Sequence, residues 1–278
     1  MKDNRFDFTN YLFRCSSLGK LMVGVKPNLT AKQTELLEAL EAKQRGGNIT
    51  PKQTITLGDL LSKKLAKPTL SATTKTYLEQ LHKEVIFNRR NEIRSKYLDK
   101  GIQVEEQAIT LYSEVTDTLF IKNKERRKNA FITGEADNVQ GKIRDIKSSW
   151  DLSTFPMHET KIKNPDYYWQ LQGYQELWNL DESELIYCLV DTPDMLIDDE
   201  KRKTSWKLGF LDLPDDLDKE ITESMKFADI PKELRCKVFN LDRDKDAMRQ
   251  LENQILLCRE YLNGLTEKLN EAVLENKK

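Results

Sequence analysis

The hydrophobic pattern of this chain changes its period near residue 118. Before that point, apolar residues recur every three or four positions, as they do on one face of a helix. Between Thr118 and Ser149 they alternate, which is typical of strands with one buried face. Helical spacing returns from Pro165 to Leu180, and a further strand pattern follows from Glu184 to Asp191. Helices and strands in this order predict an α/β fold with a small mixed sheet flanked by helices.

The same patterns predict the bounds of the elements. Helices are expected at Phe13–Val25, Thr30–Arg45, Leu57–Leu65, Ser71–Arg90, Lys100–Asp117, Pro165–Leu180 and Asp242–Leu274. Strands are expected at Thr118–Lys122, Ala130–Asp137, Ile143–Ser149, Glu184–Asp191, Ser205–Leu211 and Arg235–Asn240. The apolar stripe of the last helix fits either the core or an oligomer contact, and core burial is favoured.

Composition narrows the class of protein. The 278 residues are 38% hydrophobic and 33% charged, which is typical of a soluble globular chain. No apolar run approaches the roughly 20 residues of a membrane helix, and Met1 to Asn10 is unlike a signal peptide. A cytoplasmic location without a membrane partner is therefore expected. The four cysteines lack C-x-x-C spacing and are expected to be reduced thiols.

The net charge of −1 neither requires nor excludes a polyanionic partner, but basic residues are concentrated in two segments. The first contains Arg89, Arg90, Arg94, Lys96 and Lys100, and the second contains Lys122, Lys124, Arg126, Arg127 and Lys128. Each segment is either a solvated face or a track for phosphate groups. The second interpretation requires chemistry on nucleic acid nearby.

Two charged side chains project from one face of the strand expected at Ile143–Ser149. Asp145 and Lys147 are separated by one residue, and alternate residues of a strand share a face. Taken alone, this pair is most simply a surface ion pair. The preceding segment Val139–Gly141 changes that interpretation, because its glycine suits a three-residue hairpin loop.

The length of this loop predicts the register of the hairpin. Asn138 is expected opposite Lys142, which places Asp137 on the same face as Asp145. Two carboxylates this close repel each other unless a cation lies between them, and hard oxygen ligands suit Mg²⁺ or Mn²⁺. The same parity puts Glu135 on this face, and whether Glu135 joins the site is left open.

A third acid comes from the helix expected at Lys100–Asp117. At about 100° per residue, Glu105 falls at the edge of the apolar face, whereas Glu106 points to solvent. In metal-assisted phosphodiester hydrolysis, a metal activates water and a nearby lysine orients or deprotonates it. The residue types gathered here match that chemistry.

The order of these motifs resembles that of the PD-(D/E)XK nuclease superfamily. The motifs are G-x-x-x-E-x-x-A at Gly101–Ala108, G-x-x-D at Gly134–Asp137, D-x-K at Asp145–Lys147 and Q-x-x-x-Y at Gln170–Tyr174. Within the superfamily, the chain is similar to the branch of phage lambda-type exonucleases, YqaJ-type viral recombinases and RecB-like nuclease domains. The resemblance implies a restriction-endonuclease-like core. We expect one nuclease domain over residues 1–278, with a helical insertion at 26–68, a catalytic core at 96–191 and a C-terminal helix at 242–274.

The resemblance also implies roles for individual residues. Asp137 and Asp145 would be the principal ligands of Mg²⁺ or Mn²⁺, with the backbone carbonyl of Ile146 as a further ligand. Lys147 would act on the attacking water, and Glu105 would bind the metal or its water shell. The superfamily more often has glutamate at the position of Asp145.

Four further residues are assigned supporting roles by the resemblance. Gln170 and Tyr174, four positions apart on one helix face, would lie beside the catalytic residues and the DNA backbone. The alternative is an ordinary amphipathic helix. Arg14 and Ser16 would bind the 5′ phosphate of a DNA end near a helix N-terminus, and the alternative is an ordinary capped helix.

The activity implied is that of a magnesium-dependent exonuclease acting on double-stranded DNA ends in phage-type recombination. The resemblance further implies a homo-oligomer, a single-strand annealing recombinase as partner, and the bacterial host cytoplasm as location. The alternatives are a catalytically weak DNA-end binding or recruitment protein, a structure-specific endonuclease, and a structural interaction protein whose charges form surface ion pairs.

Overall fold

A computed structural model describes residues 6–25, 29–65, 69–90 and 95–275. Its strands are β1 (Phe13–Arg14), β2 (Arg127–Lys128), β3 (Ile132–Gly134), β4 (Ile143–Ser148), β5 (Glu182–Cys188) and β6 (Cys236–Asp242). They form two small mixed sheets within the described residues. In the first, with order β1-β3-β2, β1 is parallel to β3 and β2 is antiparallel to it. In the second, with order β4-β5-β6, β4 is parallel to β5 and β6 is antiparallel to it.

Helices surround these sheets. They are α1 (Leu18–Met22), α2 (Ala31–Arg45), α3 (Pro51–Leu65), α4 (Ala72–Ile86), α5 (Lys96–Gln103), α6 (Glu105–Thr116), α7 (Pro165–Trp178), α8 (Asp194–Leu208), α9 (Asp215–Glu223) and α10 (Lys245–Glu275). Three N-caps follow from local sequence: the side chains of Thr30, Ser71 and Asn164 accept backbone N–H groups at the starts of α2, α4 and α7. The expected α/β architecture with a long C-terminal helix is confirmed.

The main core lies around α7 and α10. Leu171, Tyr174 and Trp178 of α7 are buried in one cluster with Leu251 and Ile255 of α10. The stripe of the last helix therefore belongs to the core over this part of its length. A second cluster places α6 against β4 and β5 through side chains that include Val104, Ala108, Ile146 and Ile186. These two clusters fix α6 and α7 relative to β4.

Helices α2 and α3 contact each other and share a separate leucine cluster. Leu37, Leu40, Leu57 and Leu60 are its buried members with Leu29. These helices correspond to the expected insertion at 26–68, of which residues 26–28 and 66–68 lie outside the described residues. No helix in the described ranges is long and apolar enough to cross a membrane. The four cysteines are free thiols, as expected.

The strand expected at Ser205–Leu211 is wrong, because α8 continues to Leu208. Alternation in this segment does not mark a buried face, since Trp206 is 87% exposed and Leu211 is 96% exposed. The helices α8 and α9 were not expected from the sequence. Helix α8 buries only Leu196 and Ile197, and α9 buries no residue fully, so neither helix has a broad buried apolar face.

Two expectations near the site were also wrong. The helix expected at Lys100–Asp117 is interrupted at Val104, whose backbone is non-helical (φ −111°, ψ 11°) and whose side chain is fully buried. Thr118–Lys122 does not form a strand. At Ile121, the backbone is hydrogen-bonded to side chains and not to a neighbouring strand. Ile121 N–H donates to Gln140 Oε1, and the Ile121 carbonyl oxygen accepts from Asn138 Nδ2.

The remaining differences concern element length and, at Phe13–Val25, also element type. The strand expected at Ala130–Asp137 is confined to Ile132–Gly134, and the helix expected at Phe13–Val25 is divided into β1, a 3₁₀ turn and the short α1. Helices α3 and α7, and strands β4, β5 and β6, lie where they were expected, with shifted ends.

Candidate active site

Strand β4 carries the central ion pair of the site. Asp145 is 1% exposed, and Lys147 Nζ lies 2.6 Å from Asp145 Oδ2. Both side chains lie on one face of β4, as the alternation of strand residues predicts. Lys147 Nζ also lies 5.3 Å from the centre of the Tyr167 ring. This ring was not expected from the sequence, because the contact depends on how α7 packs over β4.

Asp137 lies beside the same strand, but the segment that carries it pairs with β4 in a register different from the expected one. Asn138 pairs with Arg144 rather than with Lys142, in a single antiparallel bridge. The loop is two residues longer than expected because Arg144 Nη1 binds Asn138 Oδ1 and the Gln140 carbonyl oxygen, at 3.0 and 2.8 Å. A change of two residues preserves parity, so Asp137 keeps its face. Its Oδ2 accepts a 2.7 Å hydrogen bond from Ile146 N–H.

The charges at this site influence one another strongly. Burial and the neighbouring Asp145 carboxylate raise the pKa of Asp137 well above its usual range. Burial opposes the charged form of Lys147, but Asp145 and Asp137 outweigh it and raise the pKa of the ammonium above its usual value. Lys147 is therefore held protonated, while Asp137 carries a desolvated carboxyl beside a second carboxylate.

Glu105 lies at the first position of α6, where the break at Val104 places it. Its Oε2 lies 2.6 Å from Lys122 Nζ, and its side chain is 28% exposed, whereas Glu106 is exposed as expected. Glu105 is close enough to contribute to the raised pKa of Asp137. Lys122 belongs to the second basic segment, but its pairing with Glu105 was not expected, since the two residues are distant in sequence.

The oxygen atoms at this site suit a hard divalent cation. Asp145 Oδ2 is buried and has no hydrogen bond of ordinary geometry, with Lys147 Nζ as its close neighbour. Ile146 N–H points away from β5 towards Asp137, and the carbonyl of a strand residue points to the same side as its N–H. Mg²⁺ is usually held by one or two carboxylates and several waters. Among the described residues, no three His, Cys, Asp or Glu side chains converge into a metal-binding group.

Gln170 and Tyr174 extend the site from α7. Gln170 Nε2 donates to Asp145 Oδ1 at 3.1 Å and to Tyr174 Oη at 3.0 Å, and both residues are buried. Burial and the Asp145 charge raise the pKa of Tyr174. The close packing here requires Gly134, because a Cβ at that position would lie 2.7 Å from Cys15 Sγ and from the Tyr174 ring.

A buried polar network supports the loop that carries Asp137. Arg144 Nε lies 2.9 Å from Glu184 Oε2, and Tyr112 Oη donates to the same oxygen at 3.1 Å. The Arg144 guanidinium also lies 4.4 Å from the centre of the Phe120 ring. Sequence reasoning missed Arg144 and Glu184. They could have been recognised in the sequence, because each is a charged residue beside an apolar one in a segment that was expected to form a strand.

The other candidates lie outside this cluster. Glu135, whose role was open, forms an ion pair with Arg126 at 3.1 Å. Arg14 and Ser16 are exposed; Arg14 lies in β1, and Ser16 lies in a 3₁₀ turn before the five-residue α1. In the first basic segment, Lys100 is fully buried and Arg94 lies outside the described residues.

The fold is similar to that of a phage related exonuclease from Haemophilus somnus 129PT, known from a crystal structure. The two chains are 25% identical with a TM-score of 0.67, over 94% of this chain and 97% of the other. LHK-Exo, an alkaline exonuclease from Laribacter hongkongensis, aligns with 16% identity and a TM-score of 0.49, over 75% of this chain and 89% of that one. No protein-family model matches the chain, and no curated protein matches it.

Proposed function

We propose that this protein is a metal-dependent DNA exonuclease of the PD-(D/E)XK type. The observation that carries the proposal is the cluster of Asp137, Asp145, Lys147 and Gln170 around β4. Its support is the similarity, across nearly the whole chain, to a phage related exonuclease. The catalytic core would be residues 96–191, within a nuclease domain that spans 1–278.

The proposed metal site consists of oxygen atoms. Asp137, Asp145 and the carbonyl of Ile146 would hold Mg²⁺, with Mn²⁺ as a substitute. When bound, the metal supplies Lewis-acid activation of water and neutralises charge that develops on the phosphate. Gln170 orients Asp145 by donating to Oδ1, which leaves Oδ2 directed to the site.

Lys147 acts as a hydrogen-bond donor in this proposal. Asp145 and Asp137 raise its pKa, so in the metal-free protein the side chain is an ammonium. In this form it would orient the attacking water by donating a hydrogen bond. Glu105 lies at the periphery, paired with Lys122, and would bind the water shell of the metal. Tyr174 supports Gln170 from the next turn of α7.

The proposed biological setting is the one that the resemblance to phage lambda-type exonucleases implies. The substrate would be double-stranded DNA ends, with a 5′ phosphate bound near Arg14 and Ser16. The protein would act as a homo-oligomer in phage-type recombination, beside a single-strand annealing recombinase in the bacterial host cytoplasm. A DNA-end binding protein without activity is the second candidate, but the neighbouring carboxyl groups of Asp137 and Asp145, which repel each other when both are charged, favour a site that binds a cation.

The test is hydrolysis of linear duplex, closed circular duplex and single-stranded DNA, with Mg²⁺ or with EDTA. We expect Mg²⁺-dependent degradation of linear duplex by the wild type and its loss in Asp145→Asn. Asp246→Asn is the matched control, because Asp246 is an exposed acid on α10 paired with Arg249. Absence of hydrolysis by the wild type would exclude a nuclease, and cutting of closed circles would indicate an endonuclease.

A further inference from the structure

A groove of about 1430 Å³ lies between β1, α1, α4 and the start of α5. Its charged lining residues are Arg14, Lys20, Glu84, Arg89, Arg90 and Asp99. Basic side chains outnumber acidic ones in this lining. Strand β1 pairs with β3, which leads along the chain to Asp137, and α5 leads to Glu105. Two walls of the groove are therefore connected along the chain to the segments that carry the proposed active site.

The arginines of this groove lack carboxylate partners. Within the described part of the chain, Arg14, Arg89 and Arg90 form no ion pair. The second basic segment differs, because Lys122 and Arg126 each pair with a glutamate. A net excess of positive charge in a concave surface concentrates a positive potential, which favours a polyanionic ligand. The groove thus has the electrostatics of a phosphate-binding surface.

An exposed aromatic ring lies at the end of this groove. Phe87, at the C-terminus of α4, is 67% exposed. It lines a smaller cavity of about 490 Å³ with Lys83 and Arg89, and Arg89 also lines the larger groove. The two cavities therefore adjoin at the end of α4, where Gln80, Glu84 and Arg89 line both.

The backbone holds Phe87 in this exposed position. Asn88 adopts a left-handed conformation (φ 48°), and Arg89 N–H donates to the Glu84 carbonyl oxygen at 3.0 Å. This is the Schellman arrangement that closes many helices, and it fixes the residues around it. The exposure of Phe87 is consequently a property of the folded helix end. A fixed ring between basic side chains is the usual platform for stacking an unpaired base.

We propose that this groove binds a single strand of the DNA substrate, with a base stacked on Phe87 and phosphates contacted by Arg89 and Arg90. The proposal rests on the proposed function for the identity of the polyanion. It specifies a single strand because paired bases in a duplex do not offer their faces to a side chain. The strand would pass from the end of α4 along the groove towards Asp137.

The test is equilibrium binding of fluorescent DNA in EDTA, measured by anisotropy for a single strand and for a blunt duplex. Phe87→Ala should weaken single-strand binding about tenfold, which corresponds to the loss of one stacked base, with little effect on the duplex. Trp206→Ala is the matched control, because Trp206 is an exposed aromatic residue on α8. It should bind both ligands as the wild type does.

A second variant tests the phosphate contacts independently. Arg89→Gln combined with Arg90→Gln should reduce the slope of log K against log salt by about 1.4, since each phosphate contact on a single strand contributes about 0.7. The control is Lys203→Gln combined with Lys207→Gln, which removes two exposed charges from α8. This control should leave the slope unchanged.

The outcomes separate this inference from the proposed function. If the wild type degrades DNA but both groove variants bind single strands normally, the groove proposal is overturned and the nuclease proposal stands. If Phe87→Ala weakens duplex and single strand equally, the stacking role is overturned. Loss of single-strand binding in both groove variants of a protein that hydrolyses nothing would support the groove and overturn the nuclease.

Discussion

At the residue scale, both oxygen atoms of the Asp145 carboxylate have a close partner. Gln170 donates to Oδ1, and the Lys147 ammonium lies against Oδ2, while the residue itself is almost fully buried. A buried carboxylate is stable only when it is paired or hydrogen-bonded. Here Oδ1 is hydrogen-bonded to Gln170, and Oδ2 is paired with Lys147. The Asp137 carboxyl has weaker support, because among the described residues its one hydrogen bond comes from the backbone of Ile146. The two acids are therefore expected to respond differently to substitution.

Asp137→Asn should stabilise the metal-free protein while it abolishes hydrolysis. The amide keeps an acceptor for Ile146 N–H and removes a desolvated charge beside Asp145. We expect the free energy of unfolding in EDTA to rise by about 1 kcal/mol at neutral pH. Urea denaturation measures this change, with Asp246→Asn as the control. A less stable variant would show that the carboxylate is not under repulsion.

The same substitution should have a pH-dependent effect. Because the pKa of Asp137 is raised in the folded state, the folded protein holds a proton that the unfolded chain releases near pH 4. Stability of the wild type therefore falls, relative to Asp137→Asn, as pH rises above about 4. Urea denaturation at several pH values in EDTA should show the two proteins converging at low pH. A constant difference would contradict the raised pKa.

Gln170→Leu should reduce the affinity for Mg²⁺ or the activity by about 10- to 100-fold, as is usual when the residue that orients a metal ligand is lost. Gln172→Leu is the matched control on the same helix. Gln172 is also buried, but its amide binds the backbone of Asp242 and Asp244. Both variants are expected to lose stability, and the Mg²⁺ dependence of hydrolysis should change only in Gln170→Leu. Equal Mg²⁺ dependence in the two would contradict a positioning role.

At the scale of the elements, two glycines of the sequence motifs lie in opposite packing environments. Gly134 in β3 lies against Cys15 and Tyr174, whereas a Cβ on Gly101 in α5 would meet nothing within 4 Å. Gly134→Ala should destabilise the protein by about 1–3 kcal/mol through overpacking. Gly101→Ala should stabilise it by about 0.5–1 kcal/mol, because alanine is favoured inside a helix. Urea denaturation of both variants tests the pair, and loss of stability in Gly101→Ala would be unexpected.

Helix α5 is joined to the end of β4 by a buried lysine. Lys100 is 0% exposed, and its Nζ donates to the carbonyl oxygens of Ser149 at 2.7 Å and Trp150 at 3.0 Å. Burial lowers the pKa of Lys100 to about 8, against the opposing charges of Asp151 and Asp191. The contact aligns α5 with the strand that carries Asp145.

Lys100→Met should lower the free energy of unfolding by about 1–3 kcal/mol, because two buried carbonyls lose their donor. The cost should depend on pH. Between pH 8 and 10.5, the unfolded chain binds a proton at this lysine that the folded protein releases, so the wild type gains stability over this range. The difference between the two proteins in urea denaturation should therefore widen with pH. A narrowing difference would mean that Lys100 is charged throughout.

At the scale of the whole molecule, the sequence predicted what depends on short-range pattern. The α/β architecture, helix α7 and strand β4 follow from apolar periodicity. The shared face of Asp137 and Asp145 also followed, although the loop was assigned two residues too short. Parity is insensitive to an error of two residues, which is why the face was right and the register wrong.

Contacts between distant parts of the chain were beyond prediction. The pairing of Glu105 with Lys122 and the burial of Lys100 depend on how α5 and α6 pack against the rest of the molecule. Both lysines read as members of basic segments, which a single sequence does not divide into buried, paired and free charges. The alternating pattern of Ser205–Leu211 misled for a related reason, because exposed apolar residues mimic a strand.

The central claim is that Asp137 and Asp145 share a divalent cation, and an anomalous difference map from a crystal soaked in Mn²⁺ tests it directly. We predict a peak between the two carboxylates and beside the carbonyl oxygen of Ile146, at Mg²⁺-type distances of about 2.0–2.2 Å from the oxygen atoms. The same peak should be absent from crystals of Asp145→Asn. A map without density at this position in the wild type, or with Mn²⁺ bound only elsewhere, would contradict the account.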